Sequence, residues 1–173
     1  VRLWSNTADG SSFTIKAHNA PVRSVCYSTD GQLLLTASDD KTLKVFRTEE
    51  KKFQFSLTGH KNWVRVGTFS PDSRLIASGG DDKTVFMWDT EFKSVVTQYH
   101  EHLGIVYDAK FNPDGTCLAS CSQDKKIKLF DMRSKRQIQH YDAHGDTVFK
   151  VDFHPSSTYL ISSSADAKIK VHT

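Results

Sequence analysis

His18, Thr36 and Asp40 recur as His60, Ser78 and Asp82, as His102, Ser120 and Asp124, and as His144, Ser162 and Asp166. Imidazole, hydroxyl and carboxylate are the parts of a nucleophilic relay, in which the carboxylate orients the imidazole and the imidazole takes the hydroxyl proton. Four copies at one spacing argue against that chemistry here, because an acyl-transfer enzyme needs one nucleophile. The same groups in series also make a structural network. The carboxylate accepts from the ring and from backbone N–H groups, and the ring bonds the hydroxyl. An aromatic six residues past each Asp closes the set: Phe46, Trp88, Phe130 and His172. An indole N–H can donate to the hydroxyl; the two Phe cannot, so their units should hold it less firmly. Each hydrogen bond of such a network is worth about 0.5–1.5 kcal/mol net.

Other chemistry finds less support. His100 and His102 form an H-x-H, but His102 is already a network position. Cys117 and Cys121 lie four apart on an expected strand, about 13 Å at 3.3 Å per residue, too far to share a zinc ion. Cys26 and Cys121 read as small packing residues. No phosphate-binding glycine loop or paired-carboxylate motif appears. The expectation is therefore a non-enzyme with no metal, no cofactor and no small-molecule substrate.

The elements that position the His, hydroxyl and Asp groups follow from a repeat of 42 residues without insertion or deletion. Each unit opens on a short run from Val to an aromatic: Val22 to Tyr27, Val64 to Phe69, Val106 to Phe111 and Val148 to Phe153. Turn sequences such as Asn112-Pro113-Asp114-Gly115 follow. A second strand begins at Leu33, Leu75, Leu118 and Leu160. A third alternates apolar and polar residues, with Leu43 and Val45 matched by Val85 and Met87, Ile127 and Leu129, and Ile169 and Val171. A more polar fourth strand covers Phe53 to Leu57, Ser94 to Tyr99 and Arg136 to Tyr141. No 3.6-residue stripe is present, so the chain is all β, and four-stranded units of this length predict a β-propeller.

Composition fits. The 173 residues are 38% hydrophobic and 25% charged, with net charge +3. That excludes a disordered chain and a dedicated nucleic-acid binder. No run approaches the about 20 apolar residues of a membrane span; neither nucleic acid nor membrane is expected as a partner. Three cysteines without a secretory signal point to a reducing compartment. Loops at one end of the sheets should present Trp63, Arg65, Tyr107 and Phe149 beside Lys41, Lys83 and Lys125 as candidate partner-binding residues. Trp63 either packs inward or meets a partner. The lysines form either a positive arc for an acidic partner or a solvated rim. A second basic cluster, Lys51-Lys52 and Arg133 to Arg136, belongs to the turns at the other end.

Gly59-His60 and Trp88-Asp89 resemble the signature of the WD repeat, with Ala17-His18, Glu101-His102, Ala143-His144 and Phe130-Asp131 matching in part. The resemblance covers the whole chain. It implies a propeller, with the His, hydroxyl, Asp and Trp88 positions used structurally. The wording of the repeats further resembles the centriolar WD-repeat family named "proteome of centriole". The resemblance runs through Lys16-Ala17-His18 with Ala20 to Val25, Asn62-Trp63-Val64-Arg65, Phe69 to Ile76, Phe111 to Cys117, Gln139-His140-Tyr141 and Phe153-His154-Pro155. It implies a seven-bladed ring in a basal-body and centriole scaffold of the cytoskeleton that contacts tubulin and neighbouring proteins of the triplet-microtubule wall.

A ring of seven units takes about 280–315 residues. The chain is therefore expected to be part of a ring: residues 1–17 ending one blade, complete repeats at 18–59, 60–101 and 102–143, and an incomplete one at 144–173.

Overall fold

The computed structural model describes residues 1–5 and 10–173, and among them every regular element is a strand. Arg2–Trp4 (β1) and Ser12–Thr14 (β2) form a hairpin. Three four-stranded antiparallel meanders follow. The first contains Val22–Tyr27 (β3), Leu33–Ser38 (β4), Thr42–Arg47 (β5) and Lys52–Thr58 (β6). The second contains Val64–Phe69 (β7), Leu75–Gly80 (β8), Val85–Asp89 (β9) and Ser94–Tyr99 (β10). The third contains Val106–Phe111 (β11), Cys117–Ser122 (β12), Ile127–Asp131 (β13) and Arg136–Tyr141 (β14). Val148–Phe153 (β15), Leu160–Ser164 (β16) and Ile169–His172 (β17) make a final three-stranded sheet.

The core lies between sheets. Leu35, Leu43, Val45 and Leu57 of the first sheet bury against Val64, Phe69, Ile76 and Trp88 of the second. Val66, Val85 and Met87 bury in turn against Val106, Ala109, Leu118 and Phe130 of the third. Cys121, Ile127 and Ala119 pack on Val148, Val151 and Leu160. These are the blades of a propeller arc, each sheet covering its neighbour. Glycine allows close approach between blades: a Cβ on Gly79 would sit 2.5 Å from Val106 of the following blade, and one on Gly67 2.7 Å from Leu43 of the preceding blade. The innermost strands are also tied by hydrogen bonds. The Gly67 N–H donates to Ser24 Oγ at 3.5 Å, and the Val151 N–H to Asp108 Oδ2 at 3.3 Å.

Every first strand has one register shift, and it falls at the same place. Pairing jumps from Val22 to Ser24, Val64 to Val66, Val106 to Asp108 and Val148 to Lys150. The residues skipped are Arg23, Arg65, Tyr107 and Phe149. A bulge leaves its extra residue unpaired and re-aims the side chain.

Candidate functional site

The His-bearing connection between fourth and first strands meets the turn between second and third strands at one end of each blade. In blade two, His60 Nδ1 lies 2.8 Å from Asp82 Oδ2 and its Nε2 lies 2.8 Å from Ser78 Oγ. Trp88 Nε1 donates to the same Ser78 Oγ at 2.8 Å. The indole can only donate, so Ser78 Oγ accepts from Trp88 while the imidazole bridges the hydroxyl and the carboxylate. His18 with Thr36 and Asp40, and His102 with Ser120 and Asp124, repeat the ring contacts at 2.7–2.8 Å. In the last blade His144 bonds Asp166 at 2.9 Å and Ser162 at 2.8 Å. There His172 Nε2, also 2.8 Å from Ser162 Oγ, supplies the hydrogen bond that Trp88 supplies in blade two.

All four hydroxyls are buried, Thr36, Ser78 and Ser120 completely. A carbonyl cannot reach them, so these groups have the geometry of a catalytic relay without a substrate's access to it. Their effect is on the loops. Asp82, Asp124 and Asp166 accept from the backbone N–H of the residue after each His, at 2.9–3.0 Å. Burial alone would raise the Asp124 pKa. Hydrogen bonds from His102, Leu103 and Lys126 overcome that and hold it at about 2.

A lysine completes the set in three blades. Lys44, Lys128 and Lys170 each donate to the carbonyl before the His, on Ala17, Glu101 and Ala143, at 2.6–2.7 Å. Blade two has Phe86 at this position, stacked on Trp88 at 4.9 Å and packed on His60 at 4.3 Å. The three lysines share one position of the 42-residue repeat, so the repeat carries a signal for them.

The bulge residues stand at this same end. Arg23 holds Asp39 in a bidentate pair at 2.5–3.0 Å, and Arg65 holds Asp81 at 2.5–2.9 Å. Both guanidiniums lie over the Trp63 ring, at 5.8 and 5.3 Å from its centroid. Trp63 is thus neither core nor free: it is 41% exposed and held between blades one and two. Tyr107 and Phe149 meet edge to face at 5.5 Å across blades three and four. The rim runs from paired charge to aromatic: where blades one and two pair Arg with Asp, blades three and four have Tyr107 with Gln123 and Phe149 with Ala165 at those positions. Lys41, Lys83 and Lys125 are exposed in the adjoining turns.

A family model described as "WD domain, G-beta repeat" matches residues 10–47, 51–89, 93–131 and 135–173. The chain belongs to the WD-repeat family. Each WD repeat begins at the fourth strand of one blade and ends with the third strand of the next, so the covalent unit straddles two packed units. Among curated relatives, "DDB1- and CUL4-associated factor 13" of Dictyostelium discoideum is 29% identical over 56 residues, 32% of this chain and 13% of that protein. "WD repeat-containing protein SL1-17" of Schistosoma mansoni is 57% identical over 37 residues, 21% of this chain and 12% of that protein. The matched WD stretches therefore span about an eighth of each relative.

Proposed function

We propose that this WD-repeat chain is a non-catalytic docking scaffold of centrioles and basal bodies, binding tubulin and neighbouring proteins of the triplet-microtubule wall. The observation that carries the scaffold reading is the bulge in every first strand. It aims Arg23, Arg65, Tyr107 and Phe149 at one end of four successive blades. Trp, Tyr and Arg are the residues over-represented among interface anchors. Here they are pre-ordered by cation–π and edge-to-face contacts, which lowers the entropy lost on binding. The centriolar assignment is supported by the ordered wording of the repeats, from Asn62-Trp63-Val64-Arg65 to Gln139-His140-Tyr141.

A tagged full-length protein should concentrate at centrioles, and the chain should co-pellet with microtubules less well as salt rises. Diffuse signal absent from centrioles would sink the placement. The name of the Dictyostelium relative favours a second reading, an adaptor in a cullin-type ubiquitin-ligase assembly. Co-purification with that machinery and not with tubulin would decide for it.

A further inference from the structure

Nine non-glycine residues among those described have positive φ, and six of them are lysines. That backbone region suits glycine, asparagine and aspartate and is unfavourable for a long side chain. The six fall into two series. Lys51, Lys93 and Lys135 (φ 55, 55 and 57) occupy the turns between third and fourth strands. Lys41, Lys83 and Lys125 (φ 71, 64 and 71) follow the network aspartates at the opposite end.

The two series differ in what the ammonium does. Lys51 sits 4.7 Å over Phe13, and Lys93 sits 5.5 Å over Phe55, each ring belonging to the fourth strand of the preceding blade. Two of these lysines therefore tie neighbouring blades. At the His–Asp end, the ammoniums of Lys41, Lys83 and Lys125 have no hydrogen bond, ion pair or ring contact among the described residues. Each backbone N–H closes its turn, donating to the Ser38, Gly80 or Ser122 carbonyl at 3.1–3.2 Å, so the turn holds the left-handed backbone and leaves the side chain exposed. Two of the three turns also adjoin exposed apolar residues. The carbonyl of Trp63 accepts from Asp81 N–H, next to the Lys83 turn. Leu103, 78% exposed, donates its N–H to Asp124, next to Lys125.

We propose that Lys41, Lys83 and Lys125, with Trp63 and Leu103 between them, bind an acidic protein segment that alternates carboxylates with apolar side chains across three blades. This deepens the scaffold reading and rests on it. The observations favour protein over nucleic acid. Arg23 and Arg65, the strongest phosphate ligands on the rim, are already held bidentately by Asp39 and Asp81.

The test uses the full chain and a fluorescein-labelled peptide of repeated Glu-Glu-Leu units, read by anisotropy. Asparagine relieves the left-handed backbone, so Lys41→Asn/Lys83→Asn/Lys125→Asn should keep or raise the melting temperature while weakening peptide affinity about tenfold. Lys51→Asn/Lys93→Asn/Lys135→Asn removes the same charge from the other end and should leave affinity unchanged. Equal losses in both variants, or none in the first, would overturn the arc. Tighter binding of a single-stranded oligonucleotide than of the peptide would overturn it too. Centriolar localisation is a separate readout: an arc variant that still binds the peptide removes the arc and leaves the scaffold standing.

Discussion

Asp124 shows how one carboxylate fixes a loop and makes the fold sensitive to acid. It accepts from His102 Nδ1, Leu103 N–H and Lys126 N–H at 2.8–3.0 Å. Its folded pKa of about 2 lies below the ordinary carboxylate value near 4. A depressed carboxylate stabilises the fold fully above its unfolded pKa, and that stability is lost as pH falls through the folded one. Asp166, also at about 2, acts in the same window. Thermal melts of Asp124→Asn should therefore start lower at neutral pH and change less between about pH 4 and 2 than the parent; parallel curves would reject this account. Gly59 carries a second residue-scale prediction. A Cβ there would lie 3.0 Å from Trp88 Cη2 and 3.3 Å from Phe86. Blades with Phe or His at the Trp88 position have Ala17, Glu101 and Ala143 at the Gly59 position. Gly59→Ala should cost about 1 kcal/mol by crowding the indole, and Trp88→Phe should relieve most of that in a double-mutant cycle.

Elements repeat faithfully enough that the sequence alone locates them. The first strands and their aromatic ends, the turns and the alternating third strands are readable because one period of 42 runs through all of them. The His, hydroxyl and Asp positions come with it. What the repeat hides is where a strand departs from simple pairing. The bulges at Arg23, Arg65, Tyr107 and Phe149 leave no local sequence signal, since these residues share position but not chemistry. The Arg23–Asp39 and Arg65–Asp81 pairs lie 16 residues apart and occur in only two blades. Gly80 illustrates the difference between repeat and structure. Ser38, Ser122 and Ser164 hold its place elsewhere, so Gly80→Ser looks like a return to the common pattern. In this blade a Cβ would stand 2.1 Å from the Trp63 carbonyl oxygen, which is backbone and cannot swing aside. Gly80→Ser should push the Trp63 connection off the second strand and cost about 1–3 kcal/mol. Increased exposure of Trp63 to a soluble quencher would confirm the displacement, and an unchanged quenching profile with unchanged stability would refute it.

At the scale of the whole molecule, one blade–blade interface is built three times among the described residues. The faces that bury Leu43, Val85 and Ile127 between blades present Ile169, 77% exposed, on the last sheet. Ile161 and Val171 are bare beside it. On the first blade, Val25 and Tyr27 are half exposed where Gly67 and Phe69 of the second are covered. The two flanks are thus the two halves of the same blade–blade contact. Among the described residues β17 pairs on one side only, with β16, where β5, β9 and β13 pair on both sides. Apolar faces and open strand edges both drive association. The isolated chain should therefore self-associate with rising concentration, by the flanks and not by the lysine-bearing loops. Ile169→Lys/Val171→Lys should shift sedimentation toward the monomer without lowering the cooperative melt, because neither side chain is packed in the core. Lys41→Asn should leave association unchanged. Association that persists in the flank variant and disappears in the loop variant would assign the contact to the docking end instead, and would make that end self-complementary.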